Sequence, residues 1–262
     1  MKIALLHGWG CDGRIWQSII PFLERYAEIE LVDINDHIEK ALVSDKLLSD
    51  AVVGSIAKKL PAQSVLCGWS LGGMLATQLA ARFPKKVTAL MALASNAVFV
   101  ANEEWPEAMS AATFDQFFSL FNKNPAHALK RFMLLEVHGD ENAKAQLQYL
   151  QALSNDMDKN EVDAKVLEAG LELLARIDNT ALLEKIKCPA LYVFGKNDAL
   201  VPVSATELMK TKIHTGQVLR VLECSGHLLH YPEENLLTLL ASFFLKLSDN
   251  AEATLKANAN DR

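Results

Sequence analysis

No stretch of this chain stays apolar for the roughly 18 residues needed to cross a bilayer, so nothing in it reads as a membrane span. Cysteine is sparse. Cys11, Cys67, Cys188 and Cys224 form no C-x-x-C pair and no zinc-ligand spacing, and Cys67 lies inside an apolar run where a buried free thiol is expected. Positive charge is in the minority, with 26 Lys and Arg against 32 Asp and Glu and a net charge of −6. That balance excludes a general binder of nucleic acid or anionic membrane. No unit of roughly 20–50 residues recurs, which excludes a solenoid. The first apolar run, Ile3–Leu6, is too short for the core of a signal peptide, and a reducing cytoplasm is the expected compartment. What remains is globular composition: 262 residues, 50% hydrophobic and 22% charged, enough for the full core of one α/β domain.

Along the chain, short apolar runs alternate with helical patterns. Ile3–Leu6 reads as a strand entering the loop His7-Gly8-Trp9-Gly10. Ile29–Ile34 reads as a second strand, Leu42–Leu60 as a helix, Ser64–Cys67 as a strand, Gly73–Arg82 as a helix and Val87–Ala94 as an unbroken apolar strand. Strands apolar along their whole length predict a parallel sheet covered on both faces. From about residue 100 to 185 the rhythm stops and only helical patterns remain. Phe114, Phe117, Phe118 and Phe121 there share one helix face. The alternation then returns with strand Ala190–Phe194, helix Val203–Thr211, strand Val218–Leu222 and helix Glu234–Leu247. The expected organisation is an α/β core of residues 1–99 and 186–247, a helical lid insertion of residues 100–185, and a poorly ordered polar tail, 248–262.

Gly68-Trp69-Ser70-Leu71-Gly72 matches G-x-S-x-G. Chance alone supplies roughly 0.1 such matches in a chain of this length, so the context matters more than the pattern. Here it joins an apolar strand to a helix. That sharp turn strains the serine backbone and lifts its hydroxyl out of the sheet beside free helix N–H groups. A serine nucleophile needs a base, and the base an orienting acid, in the chain order Ser, acid, His. His7 and His37 precede Ser70, and His127, His138 and His214 sit on helical patterns. His227 follows the last strand in Cys224-Ser225-Gly226-His227 and is the expected base, with His230 its rival. Asp198, just past strand Ala190–Phe194, is the expected acid; Asp140 and Asp178 read as surface charges of the lid. The oxyanion donors are expected to be the Leu71 and Trp9 N–H groups.

These residues together resemble the α/β-hydrolase superfamily from Ile3 to about Leu247, and finer features are similar to the pimeloyl-[acyl-carrier protein] methyl ester esterase family of biotin synthesis. The features are His7-Gly8-Trp9-Gly10, Gly68–Gly73, Ala94-Ser95-Asn96, Glu104-Trp105-Pro106, Arg131-Phe132, Gly170–Leu174 and Leu200-Val201-Pro202. The resemblance implies an α/β-hydrolase fold, a mostly parallel central sheet with helices on both faces and a helical lid. It implies catalytic Ser70, Asp198 and His227, with neither metal nor cofactor. It places substrate contacts at Trp9, Ser70, Leu71, Phe132, Met133, Leu134, Leu135, Glu136 and His227. It places acyl-carrier-protein contacts at His127, Arg131 and Lys144. Two departures stand out: Asp33–His37 has neither the proline nor the glycine of the family's loop after the second strand, and the lid's basic positions are fewer.

Three functions are weighed. One is the demethylation of pimeloyl-[acyl-carrier protein] methyl ester, with lid residues Phe114, Phe117, Phe118, Phe121, Phe132, Met133 and Leu134 either walling an acyl channel or burying the lid's own helices. The second is a carboxylesterase for short free esters. The third is a non-catalytic binding protein on a hydrolase scaffold, against which Ser70, Asp198 and His227 speak.

Overall fold

Six strands form one parallel sheet in the order β2-β1-β3-β4-β5-β6. They are β1 (Lys2–Leu6), β2 (Glu28–Val32), β3 (Ser64–Trp69), β4 (Val87–Leu93), β5 (Ala190–Gly195) and β6 (Gln217–Leu222). The computed structural model describes residues 1–157, 163–231 and 234–260. Every residue of β3 and β5 is buried, whereas the edge strands β2 and β6 are half exposed. Unbroken apolar runs therefore mark the central strands, which have a helix layer on each face. Side chains alternate between those layers: Leu6, Leu66 and Leu90 join one core, and Leu5, Val65, Cys67 and Met91 the other.

The helices are α1 (Ile20–Leu23), α2 (Ile34–Ala41), α3 (Leu48–Lys59), α4 (Leu71–Arg82), α5 (Ala111–Lys123), α6 (Pro125–Glu136), α7 (Ala143–Met157), α8 (Ala164–Arg176), α9 (Thr180–Leu183), α10 (Ala205–Lys212) and α11 (Glu234–Asn260). Helices α5–α9 fill the interval between β4 and β5 and are called the lid below. No helix among the described residues is long and apolar enough to cross a membrane.

Three expectations need correction. The strand expected over Ile29–Ile34 ends at Val32: Asp33 caps α2 by accepting the Asn35 N–H at 2.9 Å, and the polar residues after it are the helix's first turn. The helix expected from Leu42 begins only at Leu48. The helix expected to end at Leu247 runs on as α11 to Asn260; residues 261–262 lie outside the described residues. Extending an existing helix through good helix formers needs no new nucleus.

Candidate active site

Ser70 sits between β3 and α4 with φ 55° and ψ −122°, a region non-glycine residues avoid. Such a conformation costs on the order of 1–3 kcal/mol and persists only where the surroundings over-determine it. Glycines make the surroundings possible. A Cβ on Gly68 would lie 2.3 Å from the Gly72 carbonyl oxygen, and one on Gly72 would lie 2.2 Å from that of Leu6. The Ser70 N–H donates to Leu93 O at 2.9 Å, and the Ser95 hydroxyl donates to Ser70 O at 2.9 Å. The turn is thus tied to β4 on both of its backbone groups.

The loops after β5 and β6 bring Asp198 and His227 together. Asp198 Oδ2 lies 2.7 Å from His227 Nδ1, and both side chains are buried. Asp198 Oδ1 accepts the Leu200 and Val201 N–H groups at 2.8 and 2.9 Å. Held by two backbone donors, the carboxylate keeps its second oxygen for the imidazole, so Nδ1 carries the proton and Nε2 is left as the acceptor. Nε2 is buried and has no hydrogen-bond partner among the described residues. The Trp69 indole N–H donates to His227 O at 2.9 Å, which joins the imidazole's backbone to the residue preceding Ser70.

His230 has a different environment. Its ring lies 4.6 Å from Trp16 and 4.8 Å from Trp69, fully buried, with no carboxylate partner among the described residues. Burial, and then the proximity of His227, pushes its pKa down to about 3. Of these two, only His227 has a carboxylate partner among the described residues. Of the other histidines, His127, His138 and His214 are exposed, and His37 is buried against Ser55 Oγ at 2.8 Å. His7 braces the loop after β1. Its Nε2 lies 2.9 Å from the Ile34 N and 3.3 Å from Asp33 Oδ1, and its Nδ1 2.8 Å from Gly8 O. Burial raises the thiols of Cys67 and Cys11 well above their ordinary value, so neither offers a competing thiolate.

The loop after β1 lies against the elbow: a Cβ on Gly8 would be 3.3 Å from Ser70 Cβ. No hydrogen bond to the N–H of Trp9 or Leu71 forms among the described residues. The Trp9 indole points the other way, into the lid, where its ring centroid is 4.8 Å from Phe132, 5.8 Å from Phe117 and 5.9 Å from Phe121. Its indole N–H donates to Leu167 O on α8 at 2.8 Å.

The expected contact stretch Phe132–Glu136 is split by the turn of α6. Phe132 packs on Trp9, and Leu135 borders a small apolar void of about 30 Å³ with Phe99, Phe114 and Leu200. Met133 lines a larger cavity of about 620 Å³ with Gly10, Cys11, Ile15, Leu129, Leu150 and Leu167. Leu134 is not brought to the others; it is 54% exposed on the outer face. Glu136 is buried, and burial together with the Asp198 charge drives its carboxyl well above the usual range. The phenylalanines of α5 mostly bury the lid's own helices: Phe114 stacks on Phe118 at 6.2 Å, and none of them borders the 620 Å³ cavity.

The lid also grips the base loop, which no local pattern announces. His227 N–H donates to Glu136 O at 3.2 Å, Gly226 N–H to Asp140 Oδ2 at 2.8 Å, and Glu141 N–H to Cys224 O at 3.2 Å. Asp140, expected as a surface charge, is thus a clamp. At the lid's entry, the Trp105 indole N–H donates to Asn96 Oδ1 at 2.9 Å, which ties Glu104-Trp105-Pro106 to Ala94-Ser95-Asn96. On the outside of α6, His127, Lys130, Arg131 and Leu134 fall on one exposed face, with Lys123 exposed just before the helix and Lys144 exposed on α7. None of these cations pairs with a carboxylate among the described residues.

A family model described as alpha/beta hydrolase fold matches residues 48–234. A hydrolase from Oleispira antarctica superposes with a TM-score of 0.76 at 18% identity over 93% of this chain and 90% of its own, a likeness of fold. Parallel sheet, strained elbow and family match define an α/β hydrolase. Among curated proteins, the biotin biosynthesis bifunctional protein BioHC of Cellvibrio japonicus is 36% identical over 94% of this chain and 48% of its own length. The chain spans about half the length of such bifunctional relatives. The pimeloyl-[acyl-carrier protein] methyl ester esterase of Aromatoleum aromaticum is 32% identical over 88% of this chain and 94% of its own. The chain belongs to the α/β-hydrolase family and, within it, to the pimeloyl-[acyl-carrier protein] methyl ester esterases.

Proposed function

We propose that this chain is a serine carboxylic-ester hydrolase that removes the methyl group from the methyl ester of a pimeloyl chain held on acyl carrier protein, in biotin synthesis. The observation that carries the reading is Ser70 at φ 55°, joined through its neighbour Trp69 to an imidazole bonded to a buried carboxylate at 2.7 Å. In this mechanism His227 Nε2 takes the Ser70 proton as Oγ attacks the methyl-ester carbonyl. Asp198 holds the imidazole in the required tautomer. The Leu71 and Trp9 N–H groups, with no other partner among the described residues, stabilise the oxyanion. The imidazolium then returns the proton to the leaving methoxide, giving methanol and the acyl-enzyme. Water, deprotonated by His227, releases the free carboxylate and restores Ser70.

Substrate class rests on two supports: the likeness to a named esterase of this substrate, and the 620 Å³ cavity beside Gly10, whose lining is mainly apolar as a methylene chain requires. The exposed cations of α6 support an acidic carrier, with His127, Arg131 and Lys144 as its contacts. We read residues 1–99 and 186–247 as the catalytic core and 100–185 as the lid. One observation favours a general carboxylesterase instead: residues 101–185 hold 15 acidic and 8 basic residues, a net of −7. The deciding experiment compares methyl pimeloyl carrier protein with p-nitrophenyl butyrate. The expected result is methanol release from the carrier substrate at the higher kcat/KM. Turnover of the small ester alone would leave the general carboxylesterase, and turnover of neither would remove the esterase reading.

A further inference from the structure

Gly170 lies in the middle of α8, where a glycine weakens a helix relative to alanine. It is not needed for backbone conformation, because its φ is not positive. Its use is steric. A Cβ there would lie 2.6 Å from Trp9 Cδ1 and 3.0 Å from Trp9 Nε1. The indole cannot step aside easily: it is rigid, 3% exposed, enclosed by Phe117, Phe121 and Phe132, and bonded through Nε1 to Leu167 O one turn earlier on the same helix. The same residue's backbone lies in the loop that presses on Ser70, between Gly8 and Gly10, the latter at φ 72°. One residue therefore has its ring fixed by the lid and its peptide N–H in the loop that packs on Ser70.

We propose that Gly170 is a positioning residue for the oxyanion hole. By having no side chain it lets α8 seat the Trp9 indole, and the seated indole fixes where the Trp9 N–H stands. This inference rests on the esterase reading above. A donor displaced by a fraction of an ångström stabilises the tetrahedral oxyanion less while leaving ester binding nearly intact. The signature is therefore a loss in kcat with KM little changed.

The test is a double-mutant cycle on the full chain, Gly170→Ala, Trp9→Phe and both, assayed with p-nitrophenyl butyrate. The affinity of a trifluoromethyl ketone, which forms an oxyanion on Ser70, is measured in parallel. Trp9→Phe removes the Cδ1–Nε1 edge that a Cβ at 170 would strike. Gly170→Ala alone should lower kcat about 10- to 100-fold, with ketone affinity falling in proportion and the thermal midpoint lowered by the clash with the indole. On the Trp9→Phe background the same change should cost less than about threefold. Wild-type kcat in Gly170→Ala, or an equal loss on both backgrounds, overturns the inference. So does a loss in kcat without a loss in ketone affinity. If Gly170→Ala alone does not fold, recovery of fold in the double variant supports the clash with Trp9, and failure of both overturns it. A wild type that turns over no ester overturns the esterase reading and this inference with it, whereas an active wild type with an unmoved Gly170→Ala overturns this inference alone.

Discussion

At the elbow, backbone meets backbone: the Gly72 position stands 2.2 Å from a Leu6 oxygen once a Cβ is added. Across the site, in the lid, ring meets ring, with Phe117, Phe121 and Phe132 around Trp9 at 4.8–5.9 Å. The first kind of contact has no soft degree of freedom, since carbonyl groups tied into β1 cannot rotate away. The second has side-chain torsions on the phenylalanines, which can repack around an indole that Leu167 O holds in place. The elbow thus admits almost no sequence but glycine and serine at its tight points, while the lid asks only for apolar residues of suitable volume. In the function proposed above, chemistry falls on the rigid side and selectivity on the adaptable one.

The largest expected effect is chemical. Ser70→Ala and His227→Ala should each lower ester hydrolysis by about 10⁴-fold or more with the fold intact, and Asp198→Asn nearly as much; His230→Ala should not match them. Hydrolysis rates beside circular dichroism check this, and a dead His230 variant with an active His227 variant would transfer the base. The contrast between contact types is sharpened by stability. Gly72→Ala should cost about 3 kcal/mol or more in urea unfolding, against about 1 kcal/mol for Phe117→Leu in the lid. Equal costs would erase the distinction drawn above.

A smaller effect is tied to pH. His230 is neutral when folded, its pKa pushed down to about 3 by burial and His227, against roughly 6.5 in an unfolded chain. The unfolded state therefore binds a proton that the folded state refuses. Stability is fully present above pH ~6.5 and falls by about 1.4 kcal/mol per unit as the medium is acidified below it. His230→Phe keeps a ring between Trp16 and Trp69 and should remove that slope, so by pH 5 the wild type has lost about 2 kcal/mol more than the variant. Parallel acid-unfolding curves would place the titration elsewhere. The smallest effect belongs to the lid's outer face. Charge reversal at Lys130 and Arg131 should lower kcat/KM for a carrier-bound ester about tenfold at low salt and spare p-nitrophenyl butyrate, with the difference shrinking as salt rises. Equal effects on both substrates would remove the carrier from the reading.

What was legible in the sequence follows the same division. Ser70 and its glycines stand within five residues of one another, so their steric logic is written locally, and the strand–turn–helix context is local as well. Asp198 and His227 were reachable because parallel sheets bring strand ends together in chain order. The order of apolar runs also foretold the sheet, and Phe114–Phe121 the face of α5. The contacts of Asp140 with Gly226 and of Trp9 with Leu167 span 86 and 158 residues, and nothing near either residue encodes them. Leu134 stands apart from its neighbours because a run of five on a helix turns through more than a full circle, so it cannot all face one cavity. The start of α2 was legible after all: Asp33 before Ile34 is an ordinary helix cap.

Three hydrogen bonds join the loop of Cys224–His227 to the lid: Glu136 O and Asp140 Oδ2 accept from it, and the Glu141 N–H donates to it. A displacement of the lid at this end would be carried into the loop that holds the imidazole, so lid and base share one mechanical fate.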